Sequence, residues 1–284
     1  MRTGSVLICL PSGVPDASLD HVGIVGGDLA AMRAALQRLG FFVTPVAELQ
    51  ALQPDTGAVI KLGQHSCHAV LRRGYVELTS LLTDNPRHHL AAYRQLGDGI
   101  QIVALSTHDI GMMHDACVVA SLPVAPIQLA TREIDYGPRS GTARFQWFML
   151  QASASPYGLV CWVNNLSTEL VYQDAVMHHP NGAASLEAVV ICSAAEAPAR
   201  RLFSNLDAKF VDQLRWMTPD AWCAMFGESG VVQARERFAA LVIRVADLAA
   251  TAAFLRRAGS AATQLNGKLY VPAREACGAA IVFE

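Results

Sequence analysis

Leu19-Asp20-His21-Val22-Gly23-Ile24-Val25, then Asp28-Leu29-Ala30-Ala31, then Leu36, Arg38 and Gly40, is the stretch that decides how this chain folds. The first run reads as a strand. Alternation puts His21, Gly23 and Val25 on one face and Val22 and Ile24 on the other. Asp28 is an N-cap candidate, because its carboxylate can accept from the free N–H groups of a first helical turn. Leu29, Met32, Leu36 and Leu39 then share one helical face, and Gly40 stops the helix. The same unit returns near the other end. Leu241 to Val245 is strand-like, and Asp247-Leu248-Ala249-Ala250 is followed by Leu255, Arg257 and Gly259 at the same offsets. A recurring unit means that the fold is assembled from copies.

Further strands complete the first copy at Phe41 to Val46, Ala69 to Leu71 and Tyr75 to Leu82, giving β-α-β-β-β. A second copy starts with Ile100 to Ser106. Asp109 caps its helix to about Ala120, and Val124 to Thr131, Thr142 to Gln151 and Leu159 to Val163 are its strands. A third has Leu186 to Cys192, a helix across Glu196 to Leu206, and weaker strands at Phe210 to Leu214, Ala221 to Phe226 and Val231 to Gln233. The fourth begins at Phe238 and ends with Lys268 to Val271 and Ala279 to Phe283. The interval from cap Glu196 to cap Asp247 is the shortest, so the third copy is trimmed. Residues before Asp16 read as a tail, and Thr168 to Ala184 as a long connection. The expectation is an α+β protein of four βαβββ modules in two pseudo-twofold domains, residues 1–175 and 176–284. In each, paired half-open sheets curl around a shared cavity.

Composition narrows the function classes. Of 284 residues, 52% are hydrophobic and 16% charged, and the net charge is -2. No Lys/Arg run offers the basic face that nucleic acid or an anionic membrane requires. No apolar stretch is long enough for a membrane span or a signal-peptide core. The seven cysteines form no CxxC pair and fall mostly in apolar runs, as in a reducing, cytoplasmic setting. All nine histidines lie at or before His179. Imidazole is the commonest side chain for transition-metal binding and for proton transfer near neutral pH, so chemistry is expected in the first domain. His21 on the first strand and Glu77 on the last strand of module one are a two-ligand candidate for a divalent ion. A carboxylate inside an apolar strand is costly unless it is paired or bound to metal, and a buried His–Glu contact satisfies it equally.

Several segments resemble the vicinal oxygen chelate superfamily, and more closely its glyoxalase-like domain proteins. Leu19 to Val25 with Asp28-Leu29 is similar to that family's opening strand and cap. Gly74-Tyr75-Val76-Glu77-Leu78 resembles its Tyr-Leu-Glu-Leu strand, and Asn165 to Val171 its His-x-Thr-Pro-Glu segment. His179-Pro180-Asn181-Gly182-Ala183 matches its His-Pro-Asn-Gly-Ala signature. The resemblance covers about residue 18 to the C-terminus. It implies glyoxalase/dihydroxybiphenyl dioxygenase-like domains and an enzyme of lyase, isomerase or extradiol-dioxygenase type. It also implies a divalent metal (Zn, Mn, Ni, Fe or Mg) that polarises vicinal oxygens of a small organic substrate. By the resemblance His21 and Glu77 are metal ligands, and Glu77 doubles as catalytic base. Asn165 stands where relatives tend to carry His, and Gln101 is the sole polar candidate on the first strand of module two. A neutral amide is a poor zinc or iron ligand. The rival expectation is therefore a metal-free protein that sequesters a small molecule on the same fold.

Other candidates complete the expected site. Arg132 can clamp a substrate carboxylate, or pair with Glu133 or Asp135 at the surface. Trp162, with Trp147 and Phe148, can wall an apolar pocket or belong to the core. His179 can line the cup or cap a loop. His65 and His68 read as a surface loop, His88 and His89 as solvated, and Glu284 as an exposed terminus. The partner expected is a small-molecule substrate, and edge pairing into a homodimer is compatible with this organisation.

Overall fold

The computed structural model describes residues 17–53, 55–195, 200, 203, 208–226 and 236–284. The expected N-terminal tail, most of the helix across Glu196 to Leu206, and the strand at Val231 to Gln233 lie outside the described residues.

Module one comprises β1 (Ser18–Val25), α1 (Leu29–Arg38), β2 (Ala47–Leu52), β3 (Val59–Val70) and β4 (Tyr75–Leu81). Module two repeats it with β5 (Gly99–Ser106), α2 (Ile110–Val119), β6 (Gln128–Ile134), β7 (Gly141–Met149) and β8 (Leu159–Asn165). The caps behave as the sequence requires: Asp28 accepts from the Ala31 N–H and Asp109 from the Met112 N–H, each at 2.9 Å. First and last strands of each module pair in parallel, with His21 opposite Tyr75 and Ile102 opposite Leu159. The modules join twice, β1 to β5 and β2 to β6. The two sheets thereby close into one eight-stranded barrel in the order β1-β4-β3-β2-β6-β7-β8-β5. Closure removes every free strand edge from this half of the molecule.

The rest of the chain forms an open sheet from β9 (Ala183–Cys192), β10 (Leu214–Met217), β11 (Arg237–Val245), β12 (Thr263–Leu265), β13 (Lys268–Val271) and β14 (Ala280–Phe283). Its order is β10-β9-β11-β14-β13-β12. The trimmed third module is now explicit. β9 pairs in parallel with β10 directly, as β1 does with β4, and among the described residues no strand lies between them in the chain. After β10, Pro219–Phe226 forms a helix, α3, where a strand at Ala221 to Phe226 was expected. Thr218 caps it by accepting from the Ala221 N–H, and Pro219 suits a first helical turn. Its Trp222, 2% exposed, fills the concave face of the sheet against Val190, Ala240, Val242 and Val282. The fourth module is complete, with α4 (Leu248–Arg257) capped by Asp247.

Three expected strands shift. Phe41 to Val46 is irregular, because Pro45 has no N–H to give a ladder, and β2 begins at Ala47. The strand expected at Ala69 to Leu71 is the end of the twelve-residue β3, and the one expected at Val124 to Thr131 is β6. Phe210 to Leu214 is split between a one-turn helix, Ala208–Val211, and β10.

The outer faces of the strands pack on the helices. Val22 and Ile24 meet Met32 and Leu36, and this core continues without a break to Leu186, Leu241 and Phe283 of the open sheet. The connection between the two halves is held by hydrogen bonds. His179 Nδ1 accepts from the Phe42 N–H (3.0 Å), which leaves Nε2 to donate to the Val70 carbonyl (2.9 Å). Asn181 donates to the Leu39 carbonyl at 3.0 Å, while the Thr251 hydroxyl donates to the Asn181 carbonyl at 2.7 Å. Among the described residues no helix is long and apolar enough to cross a membrane.

Candidate functional site: the barrel lumen

The side chains that point into the barrel enclose a cavity with about 600 Å³ of unfilled space, counting its part open to solvent. Alternation along each strand decides what lines it. Module one contributes mostly polar groups, His21, Gln64, Tyr75 and Glu77, with Leu49 beside them. Module two contributes hydrocarbon, namely Ile102, Ala130, Phe145, Leu159 and Val163, with Trp147, Cys161 and one charge, Arg132. The cavity is therefore amphipathic across its width, one wall for each module.

Glu77 is 7% exposed and strongly held. Its Oε1 accepts from the hydroxyls of Ser66 (2.6 Å) and Thr79 (2.7 Å) and from the Gln64 amide (3.3 Å). Oε2 is left facing His21 Nε2 at 3.7 Å. On its other side His21 Nδ1 meets Asp20 Oδ1 at 2.7 Å, which assigns the ring proton to Nδ1, and the ring stacks on Tyr75 at 4.4 Å. His21 Nε2 and Glu77 Oε2 thus face each other across one point in the lumen. A proton or a cation between them satisfies such a pair.

A divalent ion is the first candidate. Mononuclear catalytic zinc and iron sites use three protein ligands, and structural zinc uses four. Module symmetry shows where the missing ligands would stand. Counted back from the helix caps Asp28 and Asp109, His21 corresponds to Ile102. The strand registers then match Glu77 with Cys161. Ile102 has no donor atom. Cys161 is a single buried thiol with no second ligand from module two beside it. Gln101 points away from the lumen and donates to the Gly97 carbonyl at 2.7 Å. Asn165 lies in a separate surface depression with Asp20, Thr168 and Tyr172, where its Oδ1 accepts from the Ser167 N–H at 2.9 Å. Among the described residues no three His, Cys, Asp or Glu are grouped to hold an ion. The residues present supply half of a metal site and do not fit a resident divalent metal.

Arg132 does enter the lumen. It is 5% exposed, and no ion pair among the described residues includes it. Glu133 and Asp135 are not its partners, since Glu133 alternates to the outside and accepts from the Thr142 hydroxyl at 2.6 Å. Nη1 donates to His68 Nε2, and the guanidinium carbon lies 5.4 Å from the Phe145 ring centroid. Nε and Nη2 are buried and face no carboxylate, and the Tyr136 phenol lies beside the guanidinium. Burial holds His68 well below its ordinary value, and the Arg132 cation adds to the effect. Leaving a charge unpaired away from water costs several kcal/mol, so this arrangement is expensive for the fold alone.

The other sequence candidates lie elsewhere. Trp162 is fully buried on the outer face of β8, stacked on Phe148 at 4.8 Å, because its neighbours Cys161 and Val163 take the inward positions. His179 fastens the connection described above. Glu284 is paired with Arg215 (2.6 Å) and Lys268 (2.5 Å), which hold its carboxyl down at about 2. Histidines read as solvated or loop residues move inward. His68 is a β3 residue 1% exposed, His88 is 7% exposed, and His89 lines the lumen edge-on to Trp147 at 5.2 Å. Asp20, Gln64, Ser66, Tyr75 and Cys161 were not singled out in the sequence. The period-two series Gln64, Ser66, His68 was the available signal for a polar strand face.

These histidines set an acid limit. Burial lowers His68, His88, His89 and His179, His89 to about 3. Unfolded, each takes up a proton near pH 6.5; folded, it does so only at lower pH. The stability they contribute is complete above about pH 6.5 and is lost as pH falls from there toward the folded values, at up to about 1.4 kcal/mol per pH unit per histidine. Thermal unfolding from pH 8 to 4 is expected to show a Tm that falls below about pH 6.5, and a flat Tm down to pH 4.5 would contradict this burial.

Paired βαβββ modules around a lined lumen define the vicinal oxygen chelate fold. The chain belongs to the glyoxalase-like domain family, whose model matches residues 19–210. Solved structures agree. A mutant of 4-hydroxymandelate synthase from Streptomyces coelicolor superposes with a TM-score of 0.58 at 12% identity, over 95% of this chain and 92% of that one. A hypothetical protein from Staphylococcus aureus gives 0.55 at 11% identity, over 94% and 99%. A variant of homoprotocatechuate 2,3-dioxygenase from B. fuscum gives 0.50 at 9%, over 97% and 73%. At such identities the likeness is one of fold. No curated protein matches the sequence.

Proposed function

We propose that the barrel lumen is the active site of a metal-independent enzyme that moves a proton on a small organic substrate, with Glu77 as the base and His21 beside it. The observation that carries this is the convergence of Glu77 Oε2 and His21 Nε2, 3.7 Å apart, on one point of the barrel cavity. Glu77 is preorganised for the task. Three donors fix Oε1, so Oε2 meets substrate without first having to find its orientation. In the proposed step Oε2 takes a proton from a carbon next to a carbonyl. The C–H electron pair moves into the C–C bond, and the carbonyl π pair moves to its oxygen, giving an enolate. Returning the proton completes an isomerisation or epimerisation. Asp20 keeps the His21 ring in the orientation that presents Nε2.

Removal of metal tests the proposal against the chelate enzyme implied by the family resemblance. Elemental analysis of untagged protein purified without chelator is expected to find divalent metal well below one equivalent. Prolonged dialysis against EDTA is expected to leave Tm and activity unchanged. Stoichiometric metal, with a Tm that drops on chelation, would overturn this in favour of a metal enzyme.

A further inference from the structure

The unpaired guanidinium and the division of the lumen between two chemistries identify what the cavity is shaped to take. We infer that its ligand is an amphipathic monocarboxylate, whose planar anion docks on Arg132 and whose aromatic or branched apolar body lies against Ile102, Phe145, Trp147 and Leu159. This rests on the proposed role of the lumen as the substrate site and extends it to the ligand's charge and shape.

Three observations carry the inference independently of Glu77. Arg132 is 5% exposed and lines the cavity, and among the described residues no carboxylate meets its Nε or Nη2. That edge of a guanidinium presents two parallel N–H groups, which match the two oxygens of a carboxylate. The neighbours of Arg132 do not neutralise it. Nη1 is engaged by His68, which is kept uncharged, one face by Phe145, and the Tyr136 phenol, which burial keeps neutral, lies beside the guanidinium. A neutral imidazole and a ring quadrupole orient a cation and leave its charge available to a ligand. The remaining wall is hydrocarbon and aromatic, and its inward positions in module two lack a second charge. A ligand with two well-separated anionic groups would leave one of them on that wall or beside Glu77. A cationic ligand would meet Arg132 itself. A small monoanion with an apolar body satisfies both walls at once.

The test is calorimetric titration of the full chain with benzoate and isovalerate, each against its neutral amide, benzamide and isovaleramide. At least one carboxylate is expected to bind at least tenfold more tightly than its amide. Arg132→Met should abolish that preference while the amide affinity stays within about threefold, and Arg132→Lys should restore part of it. The Tm of Arg132→Met should equal or exceed that of the parent, because an unpaired buried charge is removed, so loss of binding is separable from loss of fold. Equal binding of acids and amides, absence of binding by both carboxylates at 10 mM, or an anion preference that survives Arg132→Met would each overturn the inference. Glu77→Gln separates it from the catalytic proposal. That variant should keep the anion preference even if no proton transfer is ever found, whereas catalysis with unselective binding would leave Glu77 in place and remove the clamp.

Discussion

Glu77→Gln is expected to slow proton transfer in the lumen by about 10²–10⁴-fold, the range removed with a positioned general base. The amide can keep the place of the carboxylate among Ser66, Thr79 and Gln64, but it cannot take up a proton at neutral pH. Its side chain is isosteric, so the fold should survive. One hydroxyl that now donates to Oε1 would turn to a neutral acceptor, which costs about 1–2 kcal/mol at a buried charge-assisted bond. The expected signature is a large fall in turnover, a modest fall in Tm and unchanged binding of substrate analogues. Glu77→Asp should retain more activity than Glu77→Gln, since the carboxylate remains while its reach shortens. Turnover of the Gln variant within threefold of the parent would remove Glu77 from the chemistry.

Gly278→Ala is expected to cost about 3 kcal/mol or more of stability, although it adds one methyl group. Gly278 has φ +83°, and a Cβ built there would lie 2.6 Å from the Asp98 carbonyl carbon and 3.0 Å from the Gly99 nitrogen. Those atoms are backbone, in the segment leading into β5, and cannot rotate away. The left-handed conformation adds about 1–2 kcal/mol for a residue with a Cβ. Arg237 binds the same segment from the open sheet, donating to the Leu96 and Asp98 carbonyls at 3.3 and 3.0 Å. The contact thus couples the barrel to the sheet. Gly267, with φ +74° and open space around its Cβ position, is the internal control, and Gly267→Ala should lose only the conformational part, about 1 kcal/mol. Urea unfolding of both variants checks this, and equal losses would mean that the segment moves aside.

The sequence made module one legible through its punctuation. Asp28, the apolar helical stripe and Gly40 specify a strand-helix unit by local chemistry, and the repeat at Asp247 extends it. Where strands face a polar lumen the same logic fails. Gln64, Ser66 and His68 interrupt the apolar pattern of β3, yet they are buried because they support Glu77 and Arg132. In α3 the run Ala221-Trp222-Cys223-Ala224-Met225 looks like a buried strand. Its helical nature is announced only by Thr218 and Pro219. Glu77 was conspicuous as a carboxylate in an apolar strand. Arg132 was ambiguous beside Glu133 and Asp135, and strand alternation resolves it by sending its neighbour outward. Trp162 was ambiguous in the same way and resolves to the other face. The pairing of β2 with β6, which turns two cups into a barrel, depends on contacts between residues about 80 positions apart and has no local signal.

The most direct measurement is solvent exchange. Chelator-treated protein is incubated in D₂O with a panel of 2-oxo and 3-oxo monocarboxylates, and loss of the proton next to the carbonyl is followed by NMR, with Glu77→Gln in parallel. The account predicts deuterium incorporation at one such carbon, catalysed by the metal-depleted parent and reduced at least a hundredfold in the variant. Exchange that appears only when a divalent metal is restored, or that proceeds equally in Glu77→Gln, would contradict it.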